Sequence, residues 1–259
     1  MNNFIKKVFV RGGQEIKKEL LYLSSGSRPK KILFDHLPKC GGSTLREYLR
    51  KHYPQRKTFF TNGLDPYSSV EKFKQLSQHQ RYGYDLILGH LTNELIAYAD
   101  PECLKVTVLR EPVERIISHY YYAKRSPEHY LYSKITERDI SLEEYATSEL
   151  SDELRNWYTS HFSGLAVADV DGSPEAALSR AVEVLFKQYD VVGILSDFPS
   201  FIDMLRVKVG LRYPYDDKKV NVTSRRPKFD DISPSIIEKI REVNYLDVTL
   251  YECIKSPAG

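Results

Sequence analysis

Cysteine is scarce in this chain. Three of its 259 residues, Cys40, Cys103 and Cys253, are cysteines, widely spaced and odd in number. That pattern builds neither a disulfide framework nor a zinc site. There is no run of about 18 apolar residues, so no membrane span is expected. An excess of one charge is also missing. The 38 Lys and Arg against 35 Asp and Glu leave a net charge of +3, too mild for a broad nucleic-acid footprint. A local basic cleft for an anionic cofactor fits that balance equally well. The N-terminal stretch MNNFIKKVFVRGG is too short and too charged for a secretory signal. Together these absences point to a soluble protein of a reducing compartment, most simply the cytoplasm. A chain trimmed of a membrane anchor would read the same way.

What is present is enough apolar residue, 41%, to bury a core. The length suits one α/β domain. Residues 1–30 are polar and basic, broken at 24–29 by Ser-Ser-Gly-Ser-Arg-Pro, and read as an N-terminal arm or a loose helix (Ile16 to Leu23). The domain then runs over 31–259.

The chemistry concentrates in His36 to Leu45, HLPKCGGSTL. Before it, Lys31-Ile32-Leu33-Phe34 reads as a buried strand. After it, Leu45, Tyr48, Leu49 and His52 share one helical face. The stretch is therefore a strand-to-helix turn with Gly41, Gly42, Ser43 and Thr44 at the helix start. Unpaired N–H groups and the positive end of the helix dipole lie there. With the hydroxyls and the charge of Lys39, such a turn suits a phosphate or sulfate. It is not the nucleoside-triphosphate loop, whose lysine follows the glycines; here Lys39 precedes them, and Leu37 stands where the first glycine would be. A turn that needs its glycines only for packing is the plainer alternative.

Tyr84 to Leu88 reads as a second strand, ending in Gly89-His90, and Lys105 to Leu109 as a third. In open α/β sheets ligands bind outside the carboxyl ends of the strands. A histidine at that rim can take a proton near neutral pH, or it can simply bond a neighbouring loop. Arg110-Glu111-Pro112 opens a helix carrying Val113, Ile116, Ile117 and Tyr120 at helical spacing, with Ser118 about two turns on. An arginine there suits a terminal phosphate through its paired hydrogen bonds. Read alone, Arg110 or Arg115 would pair with Glu111 or Glu114. Pro- and Gly-marked turns punctuate 54–82, with a helix expected over Ser68 to Gln78. Ala176 to Gln188 reads as an amphipathic helix leading into a strand at 190–195.

HLPKCGGSTL followed by VTVLREPVERIISHYYY resembles the two cofactor motifs of sulfotransferases that use 3′-phosphoadenosine 5′-phosphosulfate, PAPS. The intervening Gly-His and the Arg-Glu-Pro-x-Glu-Arg run look most like the glycan group typified by heparan and uronyl 2-O-sulfotransferases. The resemblance continues through Val191-Val192-Gly193-Ile194, Asn221 to Pro227 and Asn244 to Asp247, covering roughly 31–252. It implies a P-loop sulfotransferase-like, three-layer α/β fold, with a mostly parallel central sheet flanked by helices. Lys39, Cys40, Gly41, Gly42, Ser43 and Thr44 would bind the 5′-phosphosulfate, and Arg110 and Ser118 the 3′-phosphate. His90 would be the catalytic base, with Lys39 neutralising charge on the leaving oxygen. Members of the group often carry another histidine two residues earlier; Leu88 stands there in this chain. Arg225 and Arg226 would fold over the cofactor. No metal is required, because Lys39 and the helix terminus offset the charge.

The implied acceptor is a glycan or glycolipid hydroxyl, with no nucleic acid as partner. Residues 125–164, with Trp157, Tyr158 and His161, would face it, unless Trp157 and Tyr158 are simply core. Family members in animals are usually Golgi-anchored, so this shorter chain looks more like a soluble bacterial relative. A magnesium-dependent nucleotide kinase or NTPase on a similar fold, and a non-catalytic nucleotide-binding protein, are the alternatives.

Overall fold

A computed structural model describes Tyr22 and residues 28–216 and 229–256. Most of the expected arm at 1–30, the Asn221 to Pro227 stretch and, within it, Arg225 and Arg226 lie outside the described residues. Contacts sort the chain into two compact units. The first takes the described residues of 1–37, 41–108 and 197–220; the second takes those of 38–40, 109–196 and 221–259.

In chain order the elements are β1 (Ile32–Asp35), α1 (Gly42–Leu49), β2 (Thr58–Phe60), α2 (Pro66–Gln75), α3 (Gln78–Tyr82), β3 (Leu86–Gly89), β4 (Leu104–Leu109) and α4 (Pro112–Arg125). There follow α5 (Tyr132–Thr136), α6 (Leu142–Thr147), α7 (Trp157–Ser163), α8 (Val167–Gly172), α9 (Pro174–Gln188), β5 (Val191–Ile194), α10 (Phe198–Val209), α11 (Pro234–Val243) and α12 (Tyr245–Lys255). The strand order is β2-β3-β1-β4-β5. β1 runs parallel to β3 and β4, and β2 parallel to β3. This is the α/β architecture expected from the sequence, a parallel central sheet flanked by helices. Strands covered on both faces read as unbroken apolar runs. Accordingly, all four residues of β1 and of β3 are buried.

Register fixes what the strands deliver. Asp35 lies opposite both Gly89 and Thr107, and Phe60 opposite Leu88. His36, Thr61 and His90 therefore leave the sheet at one carboxyl edge. Beneath them Leu33, Val70, Phe73, Ile87, Leu95, Ala99 and Cys103 form the first unit's core. In the second unit Val113, Ile116, Ile117 and Tyr120 of α4 pack with Leu131, Ile135, Tyr145, Leu154 and Ile240.

Three details differ from the expectation. β2 is a strand of only three residues, too short to show periodicity. The single helix expected over Ser68 to Gln78 is two helices: Leu76 turns extended, with ψ 149°, and Ser77 starts α3 through a reciprocal capping box with Gln80. His52 shares no helix with Leu45, since α1 ends at Leu49. Instead it is buried and bridges two backbone groups, Nδ1 to the Tyr48 carbonyl at 3.1 Å and Nε2 accepting from the Tyr213 N–H at 3.1 Å. Burial holds it neutral, pushing its pKa down to about 4.

Candidate active site

In the first unit α1 begins at Gly41, which sits in the left-handed region at φ 78° and caps the helix without a side chain. No acidic residue occupies the first turn. Its N–H groups keep their partial positive charge, and Ser43 and Thr44 stand beside them with Ser43 exposed. Gly42 serves a different purpose. A Cβ built on it would lie 1.7 Å from Cδ2 of His36, so its missing side chain makes room for the His36 ring.

That ring stacks on His90, with centroids 4.5 Å apart and planes at 24°. His90 Nδ1 lies 2.7 Å from the His36 carbonyl oxygen. A carbonyl can only accept, so Nδ1 carries a proton. The Thr61 hydroxyl donates to the His90 carbonyl at 2.9 Å. Gly89, at φ 135°, has no Cβ to collide with that threonine. His90 is thus a partly exposed imidazole whose ring is held by the His36 carbonyl and whose backbone is held by Thr61.

In the second unit Lys39 is a non-glycine residue in the left-handed region, at φ 66°. Its ammonium lies 3.8 Å from the centroid of the Tyr122 ring. Cys40, grouped by sequence with the anion-binding residues, is 1% exposed and turns its thiol inward, 2.9 Å from the Tyr158 hydroxyl. Burial raises the thiol's pKa. The Cys40 side chain is therefore part of the loop's support.

Arg110 is 8% exposed and pairs with Glu114, through Nη2 at 2.7 Å and Nε at 3.1 Å. This is the pairing that Arg110 read alone suggests. Its Nη1 makes only a long 3.5 Å approach to the Lys39 carbonyl. Glu114, Ser118 and Tyr122 are spaced four apart on α4, so they line one stripe of that helix. Arg110 bonds the first of them and Lys39 lies over the last. Lys39 and Arg110 thus lie against residues of the α4 stripe to which Ser118 belongs by spacing.

Tyr158 is fully buried, which takes it out of the expected acceptor lining. Its hydroxyl accepts from the Arg110 N–H at 3.2 Å and donates to the Arg110 carbonyl at 3.0 Å. Trp157 packs against His161, with centroids 4.9 Å apart. The start of α7 is held by α12. The Asp247 carboxylate accepts from the N–H of Tyr158 at 2.9 Å, and from the N–H and hydroxyl of Thr159 at 2.8 and 2.9 Å. In the same place the Asn244 side-chain oxygen accepts from the Asn156 N–H, and the Asn156 side-chain oxygen accepts from the Leu246 N–H, both at 3.1 Å.

Sequence reasoning gave no role to His36, Tyr122 or Asp247. His36 opens the anion-loop motif and Tyr122 lies four residues after Ser118; those positions were the available signals. Among the described residues, no group of three or more His, Cys, Asp or Glu side chains is placed to hold a metal ion. Nor is any helix among them long and apolar enough to cross a membrane.

Comparison with known proteins decides the family. The model of one protein family, described as "Sulfotransferase family", matches residues 27–252. The chain belongs to the sulfotransferase family. A curated relative, the uronyl 2-sulfotransferase homolog pip of Drosophila melanogaster, is 25% identical over 236 residues, covering 76% of this chain and 45% of the relative. The chain thus spans less than half the length of that relative. The sulfotransferase match covers residues 36–45, the Gly-His and the α4 motif alike, and it stands against the nucleotide-kinase alternative.

Proposed function

We propose that this sulfotransferase moves a sulfuryl group from PAPS to a hydroxyl of a uronic-acid-containing glycan. The observation that carries the proposal is the placement of His90 at the carboxyl edge of the sheet, with its Nδ1 bonded to the His36 carbonyl. The acceptor class rests on the printed name of the relative and on the motifs shared with glycan sulfotransferases.

The donor set fits PAPS. The first turn of α1 carries no acid, and Lys39 and Arg110 supply two cations. When bound, PAPS supplies the sulfuryl group and leaves as PAP. The first-turn N–H groups of α1, with Ser43 and Thr44, hold the phosphosulfate end. Arg110 and Ser118 hold the 3′-phosphate. His90 Nε2 takes the proton of the acceptor hydroxyl as the new O–S bond forms. Lys39 neutralises the charge on the oxygen released when the old S–O bond breaks. Positioning and electrostatic stabilisation supply most of the acceleration, as in phosphoryl transfer.

The test is thermal unfolding with PAP. A ligand at about 100 times its dissociation constant adds roughly 2.7 kcal/mol of stability. A clear rise with PAP is expected, lost in the Lys39→Ala/Arg110→Ala variant and not reproduced by ATP with magnesium. No rise with PAP, and one with magnesium-ATP, would overturn the donor assignment.

A further inference from the structure

The geometry points to Tyr122 as the residue that positions the Lys39 ammonium for sulfuryl transfer, through the face of its ring. This inference rests on the proposed role of Lys39. The contact is at close range, 3.8 Å from ammonium nitrogen to ring centroid. An aromatic face attracts a cation through its quadrupole out to about 6 Å. Lys39 sits at φ 66°, a strained conformation for a side-chain-bearing residue. Such strain persists only where its surroundings hold it.

The ring is braced in turn. His129 meets Tyr122 edge-on, with centroids 5.4 Å apart and planes at 88°, and Tyr130 stacks on His129 at 4.7 Å. Burial first, then the neighbouring His119, push the His129 pKa down to about 4. His129 is therefore neutral near pH 7 and adds no positive charge beside Lys39. Tyr122 also stands one turn beyond Ser118, so the helix that would hold the 3′-phosphate carries the ring that holds the lysine. Lys39 has a flexible four-carbon stem. A fixed ring on α4 limits that freedom before the donor arrives, which is what preorganisation requires.

The test measures PAP formation from PAPS with a uronic-acid polysaccharide present, alongside PAP affinity by calorimetry. Tyr122→Phe keeps the ring and is expected to turn over close to the unsubstituted enzyme. Tyr122→Leu removes it and should lower kcat about tenfold, the upper part of the range for such contacts, with PAP affinity changed much less. Phenylalanines bearing one, two and three fluorines at position 122 keep the shape while draining the ring face. Each added fluorine should lower log kcat by a further step. This series also decides the matter if Tyr122→Leu fails to fold. A Lys39→Ala control separates the two levels of argument. If Lys39→Ala loses turnover while the fluorine series stays flat, the inference about Tyr122 is wrong and the role of Lys39 stands. If Lys39→Ala turns over normally, both fall.

Discussion

Replacing His90 with alanine is expected to lower turnover by about 10²–10⁴-fold, the usual worth of a positioned general base, while PAP affinity stays nearly unchanged. The separation follows from the proposed roles. His90 is bonded to the His36 carbonyl and the Thr61 hydroxyl, both at the carboxyl edge of the sheet. The groups assigned to PAP are instead the α1 terminus, Lys39, Arg110 and Ser118. Loss of the imidazole removes a proton acceptor and leaves those groups in place. His90→Gln keeps polarity but cannot take a proton, and it should be nearly as slow. Comparing kcat with PAP dissociation constants across the two variants checks the assignment. A His90→Ala enzyme that binds PAP poorly would show that the histidine belongs to the cofactor site.

The second large effect is on stability. Asp247→Ala should destabilise the fold by about 3–5 kcal/mol, because one buried carboxylate serves three donors and offsets a buried cation. Asp247 and Arg115 are both 0% exposed. Burial raises the carboxyl's pKa, while Arg115 and the bonds from Thr159 and Tyr158 pull it back. Arg115 makes a hydrogen bond from Nη2 to the Glu153 carbonyl at 2.8 Å, and its Nε and Nη1 have no hydrogen-bond partner among the described residues. Without Asp247 its charge is left poorly compensated. For a chain of this size the melting temperature should fall on the order of 10 °C. Asp247→Asn should do little better, since its amide would point N–H groups at backbone donors. Activity should suffer too, because Asp247 holds Tyr158 and Tyr158 holds the Arg110 backbone. Thermal melting of the two variants measures the effect, and a change below about 1 kcal/mol, that of an ordinary single hydrogen bond, would refute it.

These two residues mark what the sequence could and could not show. His90 was legible because a strand, a glycine and a histidine come in that order, and parallel strands deliver their carboxyl ends to one rim. The turn at 36–45 was legible for the same reason, as a strand-to-helix junction with glycines. Asp247 was not, since its partners lie almost 90 positions earlier in the chain and no local pattern records them. His36 was hidden in plain view: the motif names it, but only its stacking on His90, made possible by Gly42, gives it a task. The pairing of Arg110 with Glu114 was a local i, i+4 possibility that the structure realises. β2 escaped because three residues carry no period.

The most direct test of the account is to follow labelled sulfuryl from PAPS onto a uronic-acid polysaccharide and locate the label by disaccharide analysis. The account predicts label on a uronic-acid hydroxyl, with PAP formed in equal amount and transfer abolished or greatly slowed in His90→Ala. Label on a peptide tyrosine in place of the sugar, or transfer that His90→Ala leaves untouched, would contradict it.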